Sequence, residues 1–287
     1  MNNEFVFLTD DSCDLPRDFL TEKNIGLMEL SYNIDAVQYK PSDMPTKEFY
    51  NLLRAGKKSI TSQVSMEAAK AFMQPYLQQG QDVFYLAFSS GLSGTCNSGM
   101  MAAQELRAEF PDRKIIVVDS LAASMGQGLM VYKLQEMKEA GATVEEMAAW
   151  AENNRDHVVH MVTVDDLMHL HRGGRISRGS AIVGSMLGIK PMIHLDDAGT
   201  LKVIDKVRGR KQALVDVVDK AIACVGNTPN DIFMVSHGDC EEDALFVAEL
   251  ITKRLGIKKK MINYVGSVIG SHTGPGVIAL FLMAEHK

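Results

Sequence analysis

Much of what would announce a chemistry is missing from this chain of 287 residues. It has no Gly-x4-Gly-Lys-Ser/Thr loop, and Gly126-Gln127-Gly128 lacks the third glycine of a dinucleotide fingerprint and sits inside a helical pattern. Both nucleotide-binding signatures are thereby excluded. The 4 cysteines, Cys13, Cys96, Cys224 and Cys240, are far apart and form no CxxC pair, so each reads as a small apolar filler in a reducing compartment. His169-Leu170-His171 and His237-Gly238-Asp239-Cys240 lack a third metal ligand, and neither a metal nor another cofactor is expected. Acidic residues outnumber basic ones, 36 to 30, for a net charge of -6, which argues against nucleic acid as a partner. The best membrane candidate, residues 277–284, is too short to span, so stable membrane insertion is not expected. Met1-Asn2-Asn3-Glu4 carries neither the basic segment nor the apolar run of a secretory signal, and a cytoplasmic location is expected.

What is present is a run of apolar segments that end in polar turns. The length suits two domains. Residues 5–8 read as a strand delivering Thr9-Asp10-Asp11-Ser12-Cys13-Asp14, residues 83–88 as one delivering Ser89 to Gly94, and residues 115–118 as one ending in Asp119-Ser120. Helical patterns follow: residues 66–79 with Ser65 as N-cap, a helix after Gly94, residues 121–138, and a helix opened by a Thr143/Glu146 capping box. Strands alternating with helices predict right-handed βαβ units. The fold expected is α/β in two domains, with a Rossmann-like parallel sheet in residues 1–154 and a mixed sheet in residues 155–287. Four local expectations go with it. Residues 26–34 form one strand, residues 175–187 are helical, a hairpin turns at residues 196–199, and residues 266–276 simply join the last two strands.

In sheets of this kind ligands sit beyond the carboxyl ends of the strands. That rule turns Asp10 to Asp14, Ser89 to Thr95 and Asp119-Ser120 from ordinary turns into walls of a cleft. A helix N-terminus preceded by serines favours an anion. No lysine or arginine lies between Gln81 and Gln104, so a carboxylate fits better than a polyphosphate. A second reading is a serine-dependent esterase or another enzyme acting on a small carboxylate, with Ser93 as nucleophile, His272 as base and Asp10, Asp11 or Asp14 as orienter. Against it, Gly91-Leu92-Ser93-Gly94 is not a Gly-x-Ser-x-Gly elbow.

Seven stretches taken in order carry a resemblance across nearly the whole chain. They are Thr9-Asp10-Asp11-Ser12-Cys13-Asp14-Leu15, Thr61-Ser62-Gln63, Ser89-Ser90-Gly91-Leu92-Ser93-Gly94-Thr95, Val118-Asp119-Ser120, Gly173-Gly174-Arg175-Ile176, Gly188-Ile189-Lys190-Pro191 and His272-Thr273-Gly274-Pro275-Gly276. Together they resemble the DegV family, bacterial fatty-acid-binding proteins that present an acyl chain to a fatty-acid kinase. The resemblance implies a carrier with no catalysis of its own. It further implies that Thr61 and Ser93 hydrogen-bond the carboxylate of a long-chain fatty acid, with Ser62, the Gly94 backbone and His272 nearby, while the tail enters the second domain. Arg172 and Arg175, on a glycine-broken turn, are expected on the surface that meets the kinase. Such a head-group site is expected to use neutral donors and no permanent cation, so that the carboxylate can be released.

Overall fold

The computed structural model describes residues 5–177 and 188–287. Its first sheet is parallel, ordered β2 (Ile25–Met28), β1 (Phe5–Asp10), β6 (Asp82–Ala87), β7 (Ile115–Asp119). Side chains alternate across it as the two-residue repeat of a strand demands. Phe7, Phe84, Leu86 and Val118 face one way. Val6, Leu8, Val83, Tyr85 and Ile115 face the other and meet helices α3 (Met66–Gln78) and α4 (Thr95–Glu109).

Six strands make the second sheet, in the order β10 (Leu201–Arg208), β9 (Ile189–Leu195), β8 (Val158–Thr163), β13 (Ile278–Met283), β11 (Ile232–His237), β12 (Lys259–Tyr264). Only β11 and β12 are parallel, so the sheet is mixed as expected. Its outer face packs on helices α8 (Arg210–Val225) and α9 (Glu241–Leu255). Its inner face, with Val162, Ile193, Ala279 and Phe281, shares a core with the first sheet through helix α5 (Met125–Glu139) and helix α6 (Val144–Asn154). All seven residues from Met125 to Val131 are buried, as a helix enclosed between two sheets must be.

A small antiparallel sheet, β4 (Val37–Tyr39), β3 (Ser31–Ile34), β5 (Ser59–Ser62), closes one side together with helix α2 (Thr46–Arg54). Two short helices remain near the cleft: α7 (Met168–Arg172) and α10 (Ser267–Thr273). The Ser65 cap forms, with its hydroxyl accepting from the Ala68 N–H at 3.1 Å. So does the Thr143/Glu146 box, at 2.8 and 3.2 Å.

Four local readings need correction or limit. Residues 26–34 are two strands in two different sheets, β2 and β3, because the chain turns at Glu29-Leu30, where the Asp11 carboxylate holds the Leu30 N–H at 3.2 Å. The helix expected from residue 121 starts only at Met125. Residues 121–124 are an irregular loop with left-handed φ at Leu121 and Ser124 (46° and 53°). Residues 266–276 contain helix α10 rather than a plain connection. Of the helix expected over residues 175–187, residues 175–177 are not helical and residues 178–187 lie outside the described residues.

Candidate functional site

Three loops at the carboxyl ends of the first sheet meet the inner face of the second sheet, and between them lies a cavity of about 470 Å³. Its polar lining comes from Thr61, Ser62 and Gln63 at and after the end of β5, from Ser93 and Gly94 ahead of α4, from His272 and Thr273 of α10, and from Ser124, which stands beside the second sheet at Ser236. Its apolar lining from the second sheet is Val162, Ile193, Leu195, Leu201, Ala279 and Phe281. The structure thus brings Thr61, Ser62, Ser93, Gly94 and His272 to one cavity.

Each polar wall is tied to its neighbours. Ser93 Oγ accepts from the Thr95 N–H at 3.2 Å and lies 2.9 Å from the Thr95 hydroxyl. The Thr95 hydroxyl in turn accepts from the Val64 N–H at 3.2 Å, which locks the segment after β5 to the start of α4. Gly94 lets the Gln63 amide lie against the turn: a Cβ there would sit 2.1 Å from Gln63 Oε1 and push that side chain aside. Thr61 Oγ1 and His272 Nε2 are 2.7 Å apart, and Ser59 and Ser271 hydroxyls 2.6 Å, so β5 and α10 are stitched twice. Tyr50, buried on α2, donates to the Val265 carbonyl at 2.8 Å and fixes the entry to α10.

The hairpin joining β9 and β10 forms the roof. Its turn closes through Gly199 N–H to Asp196 O at 2.8 Å, and Ser89 Oγ donates to the Gly199 carbonyl at 2.8 Å. Gly91 lets the two turns touch, since a Cβ there would meet the Ala198 carbonyl at 2.4 Å.

The electrostatics differ from expectation at one point. Arg175 does reach the cavity wall, although a permanent cation was not expected there. Its guanidinium donates twice to the Leu92 carbonyl, at 2.9 and 3.1 Å, and also to the Gly173 carbonyl. The side chain that was expected to face a partner is therefore half-buried and holds the Ser93 loop. Burial, reinforced by Arg175, pushes His272 down to about 4, so its ring is neutral near pH 7. The Nδ1 atom of His272 has no hydrogen-bond partner and faces Gly173, where a Cβ would lie 2.0 Å away. Nε2 is engaged by Thr61, and the three aspartates make other bonds, so no Ser93-His272-Asp triad is assembled.

Those aspartates do not line the cavity; Asp10 and Asp14 hold its Phe88 and Ser124 walls from behind. Asp10 accepts from Tyr85 OH at 2.9 Å and the Phe88 N–H at 2.8 Å, and burial raises its pKa against these bonds. Asp14 accepts from the Gly266 N–H at 2.9 Å and from the Ser124 hydroxyl, which also lies 2.8 Å from Ser236 Oγ. Burial pushes Asp14 up to about 7, with the Ser124 and Gly266 bonds pulling the other way.

His160 and Ser124 line the cavity without having been singled out in the sequence, and Gln63 had appeared only within the Thr61-Ser62-Gln63 stretch. His160 sits on β8 and accepts from the Ala123 N–H at 3.1 Å through Nε2, while Nδ1 donates to the Val158 carbonyl at 3.0 Å. Burial pushes it down to about 3, so it is a neutral, fixed-tautomer wall. Its inward position in the alternation of β8 was the one available signal.

A family described as "Uncharacterised protein, DegV family" matches residues 4–285. A DegV domain-containing protein of Clostridium perfringens is 42% identical over 288 residues, covering 99% of each chain. The solved structure of a fatty-acid-binding DegV family protein from Thermus thermophilus superposes with a TM-score of 0.87 at 28% identity, covering 98% of this chain and 99% of that one. DegV, a fatty-acid-binding protein from Bacillus subtilis, does so with a TM-score of 0.83 at 26% identity, covering 98% and 99%.

Proposed function

The chain belongs to the DegV family, and on that premise we propose that it binds a long-chain fatty acid in this cavity and presents it to a fatty-acid kinase. The observation that carries the reading is the cavity's mixed lining: the hydroxyls of Thr61, Ser62 and Ser93 share one cavity with a wall of apolar side chains from the second sheet. In this reading Thr61 and Ser93 hydrogen-bond the carboxylate, with Ser62, the Gly94 backbone and His272 around it. The tail runs along the inner face of the second sheet.

Burying about fourteen methylenes at about 0.8 kcal/mol each contributes roughly 11 kcal/mol before ordering costs. The head group must offset its own desolvation, so it orients more than it strengthens. Arg175 is compatible with release because three of its five N–H groups are held by the Leu92 and Gly173 carbonyls, which fixes the guanidinium in the wall. Arg172 is the residue of the pair left to meet the kinase.

Mass spectrometry of organic extracts from natively purified protein tests the proposal. Stoichiometric long-chain fatty acid is expected. An empty cavity that also fails to take up added fatty acid refutes it. Turnover of an activated ester, abolished in Ser93→Ala, would favour the esterase reading instead.

A further inference from the structure

Helix α5 packs on the second sheet, and its N-cap, Ser124, places a hydroxyl among apolar walls. One cross-strand row of that sheet runs Ser236, Ala279, Val162, Ile193 over β11, β13, β8 and β9. The last three line the cavity. Ser236, fully buried, lies on the same face one strand further on. Directly opposed residues of an antiparallel pair stand about 5 Å apart, so Ser236 and the Ser124 hydroxyl, 2.8 Å from it, close the row beside Ala279. Alanine is the smallest of the three lining side chains in the row, and its methyl group fills little of the space next to the two hydroxyls.

The protons on these groups decide what they can receive. A hydroxyl offers one donor and two acceptor sites. Ser124 donates to Asp14, whose carboxyl, raised by burial to about 7, is largely ionised at pH 8. Ser236 therefore donates to Ser124 Oγ. Both protons are then spent, while Ser124 Oγ keeps one open lone pair and Ser236 Oγ two. Neither partner of Ser124 belongs to the head-group cluster. His160, the other polar side chain on this wall, has both ring nitrogens engaged, by the Ala123 N–H and the Val158 carbonyl. What remains is a buried acceptor in an apolar wall, which a methylene cannot satisfy and an alcohol O–H can.

We propose that the cavity selects an acyl chain bearing a hydroxyl group part-way along its tail, with Ser124 Oγ accepting from that hydroxyl. The proposal rests on the fatty-acid reading above and names a substrate class within it. A plain chain passes the same wall and leaves the acceptor unmet. A hydroxyl at the matching depth gains a hydrogen bond, and one at another depth is buried against Val162, Ile193 or Phe281 without a partner. Affinity therefore depends on which carbon carries the hydroxyl, in both directions from the plain acid.

The test is competition binding to delipidated full-length protein at pH 8, with stearate and a set of hydroxystearates that carry the hydroxyl at successive carbons from the middle of the chain to its end. One isomer, or two with adjacent positions, is expected to bind roughly three- to tenfold tighter than stearate, and the other isomers more weakly than stearate. Ser124→Gly removes the hydroxyl at a left-handed φ of 53°, a conformation glycine adopts without strain. In that variant the affinity ratio of the favoured isomer to stearate should fall to one or below, whatever happens to stearate itself. Hydroxystearates that all bind no better than stearate, or a preference that survives in Ser124→Gly, would overturn the proposal and leave the fatty-acid reading in place. A protein that takes up neither stearate nor any hydroxystearate would overturn both.

Discussion

Removing the Thr61 and Ser93 hydroxyls is the most direct challenge to the head-group assignment, and its cost is calculable on both sides of the binding equilibrium. A hydrogen bond to a charged group contributes about 1.5–3 kcal/mol net, so each hydroxyl lost should weaken a fatty acid roughly tenfold to 150-fold. The free protein pays too. Thr61→Val strips His272 Nε2 of its partner while Nδ1 already has none, at about 1–3 kcal/mol of stability. Ser93→Ala frees the Thr95 N–H at the start of α4, at about 0.5–2 kcal/mol. Both are tolerable in a domain of ordinary stability, and a drop of several degrees in Tm is expected. The assay is calorimetric titration of palmitate into delipidated Thr61→Val/Ser93→Ala protein, with Thr61→Ser as the control that keeps the hydroxyl. A loss of about a hundredfold or more, with Thr61→Ser near wild type, is expected. Affinity within threefold of wild type in a folded double variant, or an equal loss in Thr61→Ser, would refute the assignment.

Ala279→Phe places a ring in the apolar half of the cavity beside Val162 and Phe281, and extracted fatty acids should shift to shorter chains. An unchanged chain-length profile would show that the tail runs elsewhere. Asp14 gives a pH prediction. Its folded pKa of about 7 lies above the ordinary carboxyl value of 3.8, so the native state holds more protons than the unfolded state between those values, and stability falls as pH rises through that window. Asp14→Asn keeps an acceptor for the Gly266 N–H and removes the titration. The variant should gain roughly 1–3 kcal/mol at pH 8, lose that advantage near pH 4, and show a flatter Tm profile. A wild-type Tm that climbs steadily from pH 4 to 8 would contradict the sign.

The alternation of strands and helices was readable because each strand of the first sheet is a short apolar run, and side-chain caps mark where several helices begin. The failures share a cause. Helix α5 was expected four residues early because residues 121–124 have helix-compatible side chains. What holds them out of the helix is distant: Lys287 Nζ donates to the Leu121 carbonyl at 3.2 Å, His160 accepts from Ala123, and Asp14 holds Ser124. Helix α10 was missed because its glycines argue against a helix. Gly270 is required there, since a Cβ would meet Tyr50 OH at 2.7 Å and a Phe49 ring carbon at 2.9 Å. In both cases tertiary contact overrules local propensity.

The candidate site divides along the same boundary. Of its polar lining, the strand-end rule singled out only the turn that carries Ser93; Thr61 was named through the family resemblance alone, and His272 through that resemblance and the esterase reading. The apolar half could not be seen, because Val162, Ile193, Ala279 and Phe281 obey the same alternation as residues that pack against a helix. A cavity wall and a core face are written identically; they differ only in whether something fills the space opposite. Here helix α5 packs on the inner faces of β8, β11 and β13 only from Met125 onward, and the Ala123-Ser124 loop ahead of it borders the void. The distant contacts that delay the helix therefore also leave the inner sheet uncovered where the tail is proposed to lie. Arg175 shows the converse error: a charged residue beside glycines reads as surface, yet the Leu92 carbonyl draws it into the cavity wall. A surface arginine free to meet a partner and one fixed beside a carboxylate cannot be told apart until the acceptor 83 residues away is located.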